Sequence, residues 1–100
     1  MTYDLDANGD GTLNYDVKQR LMDMGWIDTI HYQVFKTGQC IESETPSTTL
    51  WKDGCLSTQS ACKDFVNACR GYNLTHHGRE AKGRVCCMEL AGHHCSLIIE

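Results

Sequence analysis

The sequence predicts an all-α, disulfide-stapled small domain, and three observations carry that prediction. The chain has 100 residues, of which only 19 are Leu, Ile, Val or Phe. That is a thin supply for a core that must offset the conformational entropy of folding. It has seven cysteines, close to the density of a disulfide scaffold. Four stretches repeat apolar residues at helical spacing. The length excludes barrel, dinucleotide-binding and kinase folds. No apolar run approaches the ~18 residues that a spanning helix needs, so no membrane span is expected. Met1 is followed by polar, acidic sequence and not by a signal peptide. A secreted chain is therefore expected here in processed form.

The net charge of −4 is unevenly placed. Residues 1–28 hold six Asp against Lys18 and Arg20, and the remainder balances. With no basic excess anywhere, a nucleic-acid partner is not expected. The acidic N-terminal quarter points to a cation.

The first element is a loop, Asp6 to Val17. Acidic or amide side chains fall at Asp6, Asn8, Asp10 and Asn14, Gly11 sits at the turn, and Leu13 is an apolar anchor. Calcium takes about six to eight oxygens, and alternate residues in a tight loop aim oxygens inward. This pattern resembles an EF-hand loop, with Asp6, Asn8, Asp10, Thr12 and Asn14 as ligands of one Ca²⁺. The resemblance places a bidentate Glu at the last position, where this chain has Val17. Asp16, one residue earlier, is the candidate substitute. The missing ligand predicts weak binding, in the ~10⁻⁴–10⁻³ M range of extracellular modules. Only five residues precede the loop, too few for a stable entering helix.

The spacing predicts a helix over 16–24, on Val17, Leu21 and Met24, ended by Gly25. A second helix is expected on Ile27, Ile30, Val34 and Phe35, closed by Gly38. Residues 1–38 thus read as a calcium-binding segment with two helices, and 39–100 as a disulfide-rich helical hairpin. Residues 42–49 are polar, contain the one proline and read as a loop between Cys40 and Cys55. A helix follows over 57–70, capped by Ser57 or Ser60, with Cys62, Phe65, Val66 and Cys69 on one face. A last helix is expected over 84–98, with Cys87, Leu90, Ala91, Cys95 and Ile98 as its stripe. The cysteine separations on these two helices, about 10 and 12 Å, match. They suggest rungs Cys62–Cys95 and Cys69–Cys87, with Cys86 left to Cys40 or Cys55. Seven is odd, so one cysteine is free or bridges a second copy. Asn73-Leu74-Thr75 is an N-glycosylation sequon, expected in the turn between the two helices. The pairs His76-His77 and His93-His94 fit no usual zinc spacing.

The run Cys62-x₃-Val66-Asn67-x-Cys69-x₂-Tyr72, Gly78-Arg79-Glu80-x-Lys82, Cys87-x₇-Cys95 resembles the con-ikot-ikot family of cone-snail venom proteins over about a third of the chain. The resemblance implies a helical, saposin-like, densely bridged architecture and disulfide-linked dimers. The founding member of that family acts on AMPA-type glutamate receptors. This chain has fewer cysteines and a calcium loop that the family lacks. Cys86-Cys87 with His94 and Cys95 is similar to the active-site helix of secreted phospholipases A2, though no Asp follows either histidine.

No nucleophile or acid–base constellation has a legible spacing, so no enzyme is expected. The expectation is a secreted, calcium-binding, disulfide-rich protein that acts by binding a protein receptor, toxin-like or as a ligand. One alternative is an extracellular structural subunit that self-associates into glycosylated oligomers or filaments. A second is a divergent phospholipase A2-like protein.

Overall fold

The computed structural model describes residues 1–6, 12–54, 57–76, 80–89 and 96–99. It corrects the all-α expectation: two helices accompany five strands in two separate sheets. The elements are β1 (Thr2–Leu5), α1 (Leu13–Asp23), β2 (Thr29–Val34), β3 (Cys40–Glu44), α2 (Thr58–Thr75), β4 (Gly83–Cys86) and β5 (Leu97–Ile98).

α1 forms because Leu13, Val17 and Leu21 recur at i, i+4 and i+8 and bury one stripe. Its end is a Schellman motif. Gly25 takes φ +99°, its N–H donates to the Met22 carbonyl (3.0 Å), and the Trp26 N–H donates to the Leu21 carbonyl (3.1 Å). α2 starts where the sequence places it. The Ser57 hydroxyl accepts from the Ser60 N–H at 3.1 Å. The helix then runs one turn past the expected end, to Thr75. Its buried stripe is Ala61, Phe65, Ala68 and Tyr72, rotated from the cysteine face.

The helix expected on Ile27 to Phe35 is a strand, and the one expected over 84–98 begins and ends as strand among the described residues. Residues 29–34 pair antiparallel with 40–44, Tyr32 opposite Ile41, and Gly38 turns this hairpin. β-branched and aromatic residues alternating through Thr29–Val34 suit a strand better than the helical stripe suits a helix. That stripe goes unused: Phe35 is 68% exposed. Residues 83–86 pair antiparallel with β1, Tyr3 opposite Val85. The short parallel strand β5 lies on β2. There is accordingly no second helix in the C-terminal half to form a hairpin with α2 among the described residues.

The core gathers β1, α1 and α2: Tyr3, Leu5, Leu13, Val17, Leu21, Trp26, Leu50, Phe65 and Tyr72 with two alanines. Val17 and Leu21 are fully buried, each contributing roughly 1.5–3 kcal/mol by removal from water. The β3-β2-β5 sheet stands apart from this cluster, with only Val34 fully buried. A tryptophan joint connects the two bodies. The Trp26 indole N–H donates to Asp64 Oδ2 (2.9 Å), and the Trp51 indole N–H donates to the Thr29 carbonyl (2.6 Å). Lys52 Nζ lies 3.3 Å from the same Asp64 oxygen, and Lys18 pairs with Asp28 at 3.1 Å.

Candidate metal loop and thiol cleft

The acidic loop connects a strand to a helix, so the device is strand–loop–helix. β1 delivers Asp6, whose N–H donates to the Lys82 carbonyl at 2.8 Å. That bond extends the β1–β4 pairing by one residue. At the far side Thr12 precedes α1, and its carbonyl accepts from the Asp16 N–H at 2.9 Å. Leu13 is buried and anchors the loop exit to the core, the role its position predicts. Asn14 is exposed in the first turn. Asn8 and Asp10 lie outside the described residues, with Ala7, Gly9 and Gly11. Among the described residues no three His, Cys, Asp or Glu side chains converge on a common point that could hold a metal ion.

Val17 explains the missing last ligand. It is fully buried in the core cluster. Any side chain at that position faces apolar neighbours and not the loop. Asp16 is also committed elsewhere. Its Oδ2 lies 3.1 Å from His76 Nε2, at the C-terminal end of α2. The His76 ring stacks on Tyr72 with centroids 4.0 Å apart. His76 Nδ1 sits 3.0 Å from the Tyr72 carbonyl and 2.9 Å from Thr75 Oγ1. Arg20 Nη2 donates to Thr75 Oγ1 at 2.9 Å. These contacts tie both ends of α1, through Asp16 and Arg20, to the last turn of α2. Use of Asp16 as a metal ligand requires its carboxylate to leave His76. No sequence signal marks this contact, because the partners are 60 residues apart.

Asn73 is within α2 and not in a turn. Its side-chain oxygen accepts from the Ala81 N–H at 2.7 Å, which fixes the amide orientation, since only the oxygen can accept. The amide nitrogen is the atom a glycan would take.

The cysteines divide by environment. Cys40 and Cys86 are exposed thiols, and Cys62, Cys69 and Cys87 are half-buried. Cys55 and Cys95 lie outside the described residues, as do His77, His93 and His94. Cys69 packs against the core beside Tyr3, and burial pushes its thiol pKa up. Tyr3 is itself raised to about 12, by burial first and by Cys69 second. The Cys87 thiol is raised to about 12, by burial first and then by a side-chain hydrogen bond with Cys62. Cys62 is the α2 cysteine that acts on the Cys87 thiol. Both line an open cleft of about 440 Å³ along α2, with Thr58, Gln59, Lys63, Val66, Asn67 and Arg70. Low thiolate populations make Cys69 and Cys87 poor nucleophiles. Compared with protein-family models, curated proteins and solved structures, the chain matches none.

Proposed function

We propose that this chain is a secreted, calcium-ordered, disulfide-stapled protein that acts by binding another protein and not by catalysis. The observation that supports the reading best is the placement of the Asp6–Val17 loop. Both of its ends are fixed, by the β1–β4 backbone pairing on one side and by buried Leu13 on the other. A loop so anchored needs little ordering to close on an ion. Asp6, Asn8, Asp10, Thr12 and Asn14 supply hard oxygens, and Ca²⁺ is the cation that suits them. A single loop has no paired hand to open against, so calcium orders a surface and does not switch it.

Calcium titration by calorimetry tests this reading. The expected dissociation constant is ~10⁻⁴–10⁻³ M, and Asp10→Ala should abolish the signal. No heat at about 10 mM calcium overturns the metal site. A second reading, a self-associating extracellular subunit, draws on exposed Cys40 at the start of the edge strand β3. Mass under non-reducing conditions separates the two. A monomer or dimer favours a receptor-binding effector, and a ladder favours the structural subunit.

A further inference from the structure

We propose that Cys62 and Cys87 form a disulfide that staples the first half of α2 to the segment leaving β4. The pairing deepens the stapled reading above by naming one bridge, and it does not depend on calcium. Three observations carry it. The Cys62 thiol is close enough to the Cys87 thiol to help push its pKa up. They line the same cleft from two different chain segments. The segment holding Cys87 is positioned independently of any sulfur chemistry, because β4 is zipped to β1 with Thr2 opposite Cys86. Strand pairing thus delivers Cys87 to α2, and the bridge has only to close.

Among the described residues the competing partners are placed less well. Cys69 lies two turns further along α2, packed into the core beside Tyr3. Cys86 precedes Cys87 on the strand and is exposed, as is Cys40. The chemistry is a two-electron oxidation by exchange with a small-molecule disulfide such as oxidised glutathione. The Cys62 and Cys87 S–H bonds are lost, one S–S bond forms, and the oxidant leaves as two thiols that carry the two protons. The high basicity of the Cys87 thiolate makes it a poor leaving group, so the closed bridge resists exchange. It is a structural staple and not a redox couple.

The test is disulfide mapping of the full chain, refolded in glutathione buffer with the remaining thiols alkylated. Chymotrypsin cuts after Leu56 and separates Cys55 from Cys62. Cyanogen bromide cuts after Met88 and separates Cys95 from Cys86 and Cys87. Fragment ions between residues 86 and 87 assign the last bond. The expected product links Cys62 to Cys87. A bridge from Cys62 to Cys95, from Cys69 to Cys87, or both thiols alkylated, overturns the proposal. As a second readout, Cys62→Ser should lower the folding equilibrium constant about 30- to 1,000-fold relative to the oxidised protein. It should cause little loss relative to the fully reduced one. Equal losses in both states overturn the staple. Because the mapping uses protein oxidised in vitro, a failed pairing is distinct from failure to bind calcium or to be secreted.

Discussion

Tyr3 is 3% exposed, and its hydroxyl has no hydrogen-bond partner among the described residues. Its ring packs 5.4 Å from Phe65, so the aromatic body is well placed and only the oxygen is orphaned. An unpaired buried hydroxyl costs about 1–3 kcal/mol. Tyr3→Phe removes that atom and keeps the ring, so denaturant unfolding should show a gain of about 1 kcal/mol. The same residue sets an alkaline limit. In the unfolded chain Tyr3 ionises near its ordinary value of 10.0, and in the fold near about 12. The unfolded state releases its proton first, so stability falls as pH rises between those values. The loss contributed by this residue is on the order of 3 kcal/mol. Unfolding of the reduced protein followed from pH 9 to 12 should show the decline, and Tyr3→Phe should lessen it. Reduced Cys87 adds a decline of the same sign, since its pKa is also raised.

Gly83 shows what a single element demands. A Cβ there would run into the Asp4 carbonyl oxygen and sit 2.9 Å from the Leu5 Cα. The two backbones of the β1–β4 pair approach too closely for a side chain. Gly83→Ala should therefore part the strands and destabilise the protein by about 2 kcal/mol or more. Thermal unfolding with a far-ultraviolet readout measures it. The elements legible from sequence are those whose signals are local. α1 announces itself through Val17, Leu21 and Gly25, and α2 through Ser57 and the residues near Phe65. On α2 the sequence periodicity puts Cys62 and Val66 on the apolar face, whereas Ala61, Ala68 and Tyr72 hold the core side and Val66 is exposed. β2 was misread because Ile27, Ile30 and Val34 fit a helical period by coincidence. Their partner, β3, lies in a stretch rich in Glu and Ser that reads as loop. β4 could not be found locally at all. Its four residues acquire a structure from β1, with Asp4 facing Arg84 across 80 residues. In the candidate site the acidic and amide spacing is legible, and the commitments of Asp16 to His76 and of Val17 to the core are not. Both depend on how α1 rolls against α2.

At the scale of the whole molecule the chain builds two bodies of unequal strength. The radius of gyration is 15.1 Å, against about 13 Å for a compact chain of this length. The excess fits a three-stranded sheet that extends beyond the helical core. Val34 is the one buried residue of that sheet, and Leu97 and Ile99 are exposed. Its half-buried residues Ile30, Tyr32 and Ile41 share one face, and His31 and Glu42 share the other. Local opening free energy scales with buried apolar contact. Amide hydrogen exchange should therefore be slowest at Val17, Leu21, Phe65 and Ala68, and faster across 29–34 and 40–44 by roughly a hundredfold or more. Equal protection in both bodies would show that the tryptophan joint couples them into one cooperative unit.

The β1–β4 pairing also imposes an order in time. A chain leaving the ribosome presents Thr2–Leu5 long before their partners Gly83–Cys86. Until then the Leu13, Val17 and Leu21 stripe of α1 has α2 to cover it but no closed strand pair beside it. Contacts of such wide sequence separation form slowly. Cys40, Cys55, Cys62 and Cys69 all emerge ahead of Cys87, so early oxidation can join them only to one another. The native Cys62–Cys87 bridge must then be reached by reshuffling. Oxidative refolding in glutathione alone should pass through scrambled species that rearrange over minutes to hours, on the order of uncatalysed exchange.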